Sequence, residues 1–223
     1  MGTELELFST QHNKVKRDYL ARVNSAKYPK HVAASLAKKW GFDYWDGPRE
    51  VNYGGYHFRP GYWTPLATAL IDRYNLTQKS RILEVGCGKG FLLSELKTML
   101  PGVTVSGLDI SGYALNLAPE NVRGNLVLGS AIMLPWGDKS FDLVISINTL
   151  HNLHNFELEP ALAELSRVSN KQYLVVESYR NEEEKANLLY WQVTCEQFCT
   201  PDEWRWWFRK TNYEGDYEFI YFN

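Results

Sequence analysis

Short apolar runs alternate along the chain with longer segments in which apolar residues recur every three or four positions. The runs are almost continuously apolar, as strands are when helices cover both faces of a parallel sheet. Alternation of strands and helices is typical of α/β proteins. The pattern therefore predicts an α/β three-layer sandwich with strands at residues 81–85, 103–109, 125–129, 141–148, 172–178 and 216–222.

Capping residues mark the starts of helices between these strands. Thr64 and Pro65 suit the N-cap and the first helical position. Thr200 and Glu203 have the spacing of a capping box. Helices are therefore predicted at 64–76, 91–100, 111–119, 157–169, 182–198 and 200–212, with one or two more within 11–40.

Three cysteines are too few, and odd in number, for a disulfide framework, so we expect a reducing, cytoplasmic location. Cys195 and Cys199 would share one face of the helix predicted at 182–198, but no second pair completes a metal site. We expect buried structural thiols and no metal.

Aromatic residues are concentrated in two flanks of the chain. Nine of them lie in residues 40–63 and twelve in residues 190–222. The first group lies among glycines and prolines and carries too much apolar surface for a linker. We therefore predict an N-terminal helical and aromatic cap over residues 1–63, followed by the α/β domain over residues 64–223.

Length and charge narrow the functional classes. A chain of 223 residues is long enough to bury a core without disulfides. A net charge of -2 provides no basic surface for nucleic acid or an acidic membrane. The apolar runs are shorter than the roughly 18 residues of a membrane-spanning helix. The expected partner is therefore a small molecule, and the chain is a monomer or a homodimer.

A glycine-rich turn follows the first strand, in the order Glu84-Val85-Gly86-Cys87-Gly88-Lys89-Gly90. Glycine lets the backbone turn tightly and approach a ligand, and the next helix offers free N–H groups. A dinucleotide fingerprint needs its third glycine at the position of Phe91. A pyrophosphate would also be repelled by Glu84, whereas an ammonium or sulfonium group would be attracted.

This turn and three later segments, in the same order, resemble the class I S-adenosylmethionine (SAM)-dependent methyltransferases, in particular the small-molecule, type 11-like group. The resemblance covers about residues 64–180 and implies a Rossmann-like domain. Relatives commonly end in two strands where this chain has one apolar run, so we expect a sheet of six or seven strands. The later segments are Gly107-Leu108-Asp109-Ile110-Ser111, Leu134-Pro135-Trp136 with Ser140 to Ser146, and Leu150-His151-Asn152.

The resemblance implies a cofactor site at the carboxyl ends of the strands, where open parallel sheets bind ligands. The glycine loop would contact the methionine part of SAM, and Asp109 would accept hydrogen bonds from both ribose hydroxyls. Many relatives carry Asp where this chain has Ser130, which implies a weaker bond to the adenine. The implied cofactor-binding residues are Glu84, Gly86, Gly88, Gly90, Asp109, Ile110, Ser130, Ala131 and Asn148.

Residues for the acceptor are less constrained by the sequence. His151 follows the fourth strand and is either a general base or a residue with ordinary hydrogen bonds. Arg180 either binds substrate or pairs with an acidic residue at 182–184. The aromatic segment before residue 64 is either a lid over the ligand or a packed satellite core. The candidate substrate and lid residues are Tyr53, Tyr56, His57, Trp63, Tyr179 and Arg180.

The helix at 200–212 places Trp204, Trp207 and Phe208 on one face, which predicts core packing or else a pocket or dimer surface.

The leading functional hypothesis is a SAM-dependent methyltransferase that modifies an oxygen or nitrogen of a metabolite, sugar or natural-product intermediate, with S-adenosylhomocysteine as the coproduct. A non-catalytic SAM-binding regulator is the alternative. A nicotinamide-dependent oxidoreductase is disfavoured by Phe91 and Glu84.

Overall fold

Six strands form one sheet in the computed structural model, which describes residues 2–9, 17–54 and 56–223. The strand order is β3-β2-β1-β4-β5-β6, and every neighbouring pair is parallel. This confirms the predicted α/β sandwich, with a fully parallel sheet in the described chain. The strands are β1 (Arg81–Val85), β2 (Thr104–Asp109), β3 (Leu126–Leu128), β4 (Leu143–Ile147), β5 (Gln172–Glu177) and β6 (Asp216–Ile220).

Helices cover both faces of this sheet. The helices are α1 (Tyr19–Val23), α2 (Lys30–Ala37), α3 (Phe42–Trp45), α4 (Thr64–Tyr74), α5 (Phe91–Met99), α6 (Gly112–Asn116), α7 (Glu120–Arg123), α8 (Asn155–Val168), α9 (Glu182–Trp191) and α10 (Pro201–Lys210). Apolar side chains of α4, α5 and α9 pack on one face, and those of α8 and α10 on the other. None of the helices in the described part of the chain is long and apolar enough to cross a bilayer.

The α10 aromatic residues are divided between core and surface. Trp204 and Phe208 are fully buried, and Trp207 packs against the same core. Trp206 is half exposed. The shared face predicted for this helix is therefore a core face.

Side chains of the strands alternate between the two cores. Ile82 of β1 joins the core under α4 and α5, whereas Leu83 joins the core under α8. Because the period of a strand is two residues, Glu84 points to the same face as Ile82. The same counting assigns Asp109 of β2 and Glu177 of β5 to that face, since Val105 and Val175 lie in its core. Three carboxyl groups thus lie at or next to the last residue of three strands, on one face of the sheet.

The N-terminal residues cover the open edge of β6. Backbone hydrogen bonds join Leu5 N–H to the Tyr217 carbonyl and Tyr217 N–H to the Thr3 carbonyl. The buried carboxylate of Glu218 accepts from the backbone N–H groups of residues 7–9. Covering an edge strand in this way removes a template for aggregation. Residues 3–9 of the predicted cap therefore belong to the sheet edge in the structure.

The rest of the predicted cap packs beside the carboxyl ends of the strands. Here "the cap" means the described residues between 17 and 63. Its buried core is formed by Ala33, Ala37, Tyr44, Trp45 and Val51, which contact Ala114 after β2 and Val193 after α9. The predicted aromatic loop contains the short helix α3. The domain boundary at residue 63 stays a prediction. Residues 11–16 of the predicted N-terminal helices and Gly55 of the predicted aromatic loop lie outside the described residues.

The helix predicted at 182–198 is shorter than the sequence indicated. α9 ends at Trp191, and residues 192–199 run on without helical structure. The N–H groups of Val193 and Thr194 bond to the Tyr53 hydroxyl, and those of Glu196 and Gln197 bond to the His151 carbonyl. These tertiary partners replace the helical hydrogen bonds, so the prediction of Cys195 and Cys199 on one helix face is wrong.

Candidate cofactor and catalytic site

The glycine loop between β1 and α5 has a conformation that side chains would disrupt. Gly86, Gly88 and Gly90 all have positive φ, at 78°, 54° and 68°. A Cβ on Gly86 would lie 1.9 Å from the Thr149 Oγ1, and one on Gly88 would lie 2.6 Å from the ring of Trp45. The loop therefore lies closely between the residues after β4 and the cap.

Asp109 fixes this loop to the end of β2. Its Oδ2 accepts from the Gly88 N–H at 2.7 Å, and its Oδ1 accepts from the Ser111 N–H at 2.8 Å. Burial raises the pKa of this carboxyl, and the backbone N–H bonds oppose that increase. A carboxylate has about four lone-pair sites, so Asp109 retains acceptor capacity for ribose hydroxyls.

Glu84 lies buried beside Asp109 with one oxygen unused. Its Oε2 has no hydrogen-bond partner among the described residues. Burial and the neighbouring Asp109 charge raise its pKa well above the usual value. A positively charged ligand would lower the pKa of Glu84 again, because it would compensate the charge of the carboxylate. The residues at this site thus fit the ammonium or sulfonium group of SAM.

Further unpartnered polar atoms lie at the end of β4 and in the 3₁₀ turn that follows it, Leu150–Asn152. An unpartnered buried polar atom costs about 1–3 kcal/mol, and such groups call for a ligand or water. With Glu84 Oε2, the atoms of Asn148, His151 and Asn152 mark one region, where the carboxyl ends of β1 and β4 meet, whereas Ser146 points to the other face of the sheet. Within the described residues these atoms are Ser146 Oγ, Asn148 Oδ1, His151 Nδ1 and Asn152 Oδ1.

His151 and Glu177 are neighbours in this region. His151 is 2% exposed, and its Nε2 lies 3.7 Å from Oε2 of Glu177, which is 4% exposed. Burial lowers the pKa of His151 to about 3 and raises that of Glu177 to about 8. Near neutral pH the imidazole is therefore uncharged.

The cap is attached to the glycine loop by contacts that sequence reasoning missed. Lys89 is 7% exposed, and its Nζ donates to Oδ1 and Oδ2 of Asp46 at 2.7 and 2.8 Å. Tyr113 donates to the same carboxylate at 2.9 Å. Trp45 donates its Nε1–H to Ser111 Oγ at 2.8 Å. The position of Lys89 between two loop glycines was the available signal for this role.

The candidate lid residues are placed in different surroundings. The Tyr53 hydroxyl bonds to Gln192, and Tyr56 donates to the Tyr44 hydroxyl at 2.9 Å. His57 is largely exposed, with its Nδ1 4.0 Å from Asp46 Oδ1. The structure therefore places Tyr53 and Tyr56 in a packed aromatic cluster near the strand ends, whereas His57 lies on the surface beside Asp46.

Trp63 lies apart from the other candidate lid residues. Its ring stacks on Phe8 at 5.8 Å between ring centroids, next to the residues that cover β6.

Tyr179 and Arg180 follow β5. The Arg180 guanidinium pairs with Glu184 and lies 4.0 Å from the centre of the Tyr221 ring. Of the two roles that the sequence allowed, the structure shows the pairing with an acidic residue of the next helix. Tyr179 lies under the Lys185 ammonium group, 5.4 Å from the ring centre.

The expected adenine side has an apolar exposed rim. Ile110 is 58% exposed, directly after Asp109. Ser130 and the buried Ala131 follow β3, where Leu128 is also exposed. These residues form an accessible edge on which a flat ring can pack.

Two cavities flank this region. One, of about 530 Å³, is lined by residues that include Glu196 and Gln197, whose N–H groups donate to the backbone carbonyl of His151. Phe198, Trp206 and Trp207 form its aromatic wall. The other, of about 510 Å³, is lined by residues including Asp46, Tyr56, His57 and Lys89. Among the described residues, no three His, Cys, Asp or Glu side chains gather as metal ligands.

Comparison with known proteins identifies one matching family model, which is described as a methyltransferase domain and matches residues 82–172. A fatty-acid O-methyltransferase of Mycolicibacterium smegmatis is 32% identical over 133 residues, covering 53% of this chain and 47% of that protein. A malonyl-[acyl-carrier protein] O-methyltransferase of Legionella pneumophila is 35% identical over 94 residues, covering 40% and 32%. The chain spans about half or less of the length of these curated relatives.

Solved structures show the same fold at low identity. The YcgJ protein of Bacillus subtilis aligns with a TM-score of 0.52 and 20% identity, covering 65% of this chain and 66% of that one. The BH2331 protein of Bacillus halodurans, described as a putative methyltransferase, aligns with a TM-score of 0.52 and 18% identity, covering 65% and 67%. These likenesses concern the fold alone.

The contact between Gly88 and Trp45 can be tested by Gly88→Ala. The new Cβ would meet the Trp45 ring at 2.6 Å and would adopt an unfavourable positive φ. We expect a loss of about 1–2 kcal/mol in unfolding free energy and faster hydrogen exchange at residues 42–46. Gly124→Ala is the matched control, since nothing lies within 4 Å of its Cβ. Unchanged exchange in Gly88→Ala would contradict the contact.

The pKa of Glu177 predicts a pH-dependent stability. Between the ordinary glutamate pKa of about 4.3 and its folded value of about 8, the folded state retains a proton that the unfolded chain has lost. The unfolding free energy therefore falls as pH rises through this range. His151, with a folded pKa of about 3, has the opposite effect below its unfolded pKa of about 6.5.

Between about pH 6.5 and 8 the Glu177 effect remains without the opposing His151 effect. We expect Glu177→Gln to remove that part of the decline in urea unfolding curves, whereas the exposed Glu214→Gln should keep the wild-type slope. Equal slopes in the two variants would show that Glu177 ionises normally in the folded protein.

Proposed function

Because the chain belongs to the class I SAM-dependent methyltransferase family, we propose that it transfers the methyl group of SAM to an oxygen or nitrogen of a small acceptor. The observation that carries this proposal is the buried carboxylate of Glu84, with its unpartnered Oε2, beside Asp109 and the glycine loop. A pyrophosphate ligand would add negative charge to these two carboxyl groups. A sulfonium cofactor instead supplies a positive charge that compensates the two carboxylates.

Each predicted cofactor-binding residue has a proposed part in holding SAM. Glu84 and the glycine loop hold the methionine part, and Asp109 accepts from the ribose hydroxyls. Asn148, with an unpartnered Oδ1, supplies a polar contact at the cleft. When bound, SAM provides a methyl group that is activated by the positive sulfur. Ile110, Ser130 and Ala131 hold the adenine.

The cap controls access to this site. Trp45 lies against Gly88, and Asp46 binds Lys89, so the cap covers the surface that the cofactor needs. We therefore propose that the segment around Trp45 shifts when SAM enters and then excludes water from the cleft. This is the lid role predicted for the aromatic segment, performed by Trp45 and Asp46 in addition to Tyr53, Tyr56 and His57.

The acceptor is proposed to bind in the 530 Å³ cavity lined by Glu196 and Gln197, whose N–H groups bond to the His151 backbone. Its aromatic wall of Phe198, Trp206 and Trp207 suits an apolar or ring-containing molecule. Two similar proteins are named as O-methyltransferases, one acting on fatty acids and one on malonyl-[acyl-carrier protein], which favours oxygen as the methylated atom. His151 is the proposed base where the acceptor carries a proton.

Turnover separates this proposal from a SAM-binding regulator. The full chain is incubated with SAM and a panel of hydroxylated and carboxylated apolar acceptors, and formation of S-adenosylhomocysteine is followed. We expect acceptor-dependent coproduct, and a large loss of it in Glu84→Gln. Binding of SAM without turnover of any acceptor would favour the regulatory alternative.

The ribose role of Asp109 is testable by calorimetry with S-adenosylhomocysteine. Asp109→Ala removes charged hydrogen bonds and should weaken binding by about 1.5–3 kcal/mol. Asp72→Ala, on the exposed side of α4, is the control and should bind as the wild type does. An affinity of Asp109→Ala equal to that of the control would remove Asp109 from the cofactor site.

A further inference from the structure

The partly buried Tyr53 and three buried side chains form a connection from the cap to His151. The Tyr53 hydroxyl donates to Gln192 Oε1 at 2.6 Å, and Gln192 Nε2 donates to Glu177 Oε2. The same carboxyl oxygen lies 3.7 Å from His151 Nε2. Glu177, Gln192 and His151 are each at most 4% exposed. The part of the connection from Gln192 to His151 therefore lies out of contact with solvent.

The two nitrogens of His151 have different surroundings. Nε2 faces Glu177, whereas Nδ1 is buried and has no partner among the described residues. An imidazole that directs its Nε2–H toward a carboxylate leaves a lone pair on Nδ1 to accept a proton. The 3.7 Å separation is longer than a hydrogen bond, and such contacts commonly shorten when substrate binds.

We propose that Glu177 is a positioning residue that orients His151 as the proton acceptor for methyl transfer. In the same proposal, Tyr53 of the cap orients Gln192, which donates a hydrogen bond to Glu177. This inference rests on the proposed methyltransferase function. It also narrows the acceptor to a molecule that must lose a proton, such as an alcohol or phenol. A carboxylate acceptor is already deprotonated and needs no base.

The charges balance in this scheme. In the reactive state Glu177 is ionised, His151 is neutral, and the cofactor carries one positive charge. As the acceptor oxygen forms its bond to the methyl group and the carbon–sulfur bond breaks, the hydroxyl proton goes to Nδ1 of His151. The Nε2 proton passes to Glu177, which leaves a neutral imidazole, a carboxylic acid, a methyl ether and neutral S-adenosylhomocysteine. No net charge remains buried after the step.

The surroundings of Glu177 determine the pH at which its carboxyl group ionises. Burial raises its pKa to about 8, and the Arg17 guanidinium and the Gln192 hydrogen bond oppose that increase. Sulfonium binding should favour the ionised form further. The other titratable groups that interact with Glu177 are His151, Tyr53, Tyr56 and Cys195.

Tyr53 couples the Glu177–His151 pair to the position of the cap. Its hydroxyl also accepts the N–H groups of Val193 and Thr194, at 2.8 and 3.1 Å. The cap thereby orders the segment that follows α9 and orients the Gln192 amide toward Glu177. If the cap opens at Tyr53, Glu177 loses a fixed donor, so proton acceptance is efficient only when the cleft is covered.

The test measures the pH dependence of kcat for the full chain with a hydroxyl acceptor. We expect kcat of the wild type to rise with pH and level off near or below pH 8. Glu177→Gln should lower kcat by about 10²- to 10³-fold and abolish this rise. Its affinity for S-adenosylhomocysteine should stay within about twofold, which a general disruption of the fold would not allow.

Two further variants separate positioning from general structure. Glu177→Asp should restore part of kcat and the pH-dependent rise. Tyr53→Phe should lower kcat by roughly tenfold while keeping the rise, since the base itself remains. Wild-type kcat and pH dependence in Glu177→Gln would overturn the inference, as would turnover of carboxylate acceptors alone.

The orientation of His151 can also be tested without an acceptor and without turnover. Nitrogen NMR of the histidines, bound to S-adenosylhomocysteine and assigned with His151→Gln, should show the His151 proton on Nε2 and none on Nδ1. The opposite tautomer would overturn the inference. A wild-type chain that fails to bind S-adenosylhomocysteine would instead refute the proposed function itself.

Discussion

The carboxylate of Asp109 connects the glycine loop, the end of β2 and the cap. It accepts the N–H groups of Gly88 and Ser111, and the Ser111 hydroxyl accepts from Trp45. Each charged hydrogen bond of this kind contributes about 1.5–3 kcal/mol. Because the carboxylate is buried, it remains stable only while these donors are in place. The shape of the candidate cofactor site, and the position of the cap upon it, both depend on this group.

Local patterns were sufficient to predict the part of the molecule around Asp109. Residues 81–109 combine a buried strand, a glycine turn and a second strand that ends in an acidic residue, and parallel pairing brings the two strand ends together. The placement of Glu84 beside Asp109 follows from this register. The aromatic flanks were recognised from composition, but their partners were not, because aromatic packing has no fixed sequence spacing.

The connection from Tyr53 to His151 could not be predicted from spacing. Tyr53 and Gln192 are separated by 139 positions in the chain, and Gln192 lies just where a continued helix was expected. The helical pattern of residues 182–198 was overridden by other partners for the backbone N–H groups. Those of Val193 and Thr194 bond to the Tyr53 hydroxyl, and those of Glu196 and Gln197 bond to the His151 carbonyl. Tertiary hydrogen bonds of this kind depend on the whole fold, whereas propensity describes only neighbours along the chain.

Strand order alone does not distinguish a sheet that binds a dinucleotide from one that binds a sulfonium cofactor. The order β3-β2-β1-β4-β5-β6, all parallel, is also the order of dinucleotide-binding sheets. The difference lies in charge: Glu84, Asp109 and Glu177 lie at or next to the last residue of three strands on one face, and the nearby buried Lys89 is already paired with Asp46. A pyrophosphate would bring two more negative charges to this face. A sulfonium brings the opposite charge and loses it on methyl transfer, so the same carboxyl groups that favour binding of the substrate cofactor favour the neutral product less.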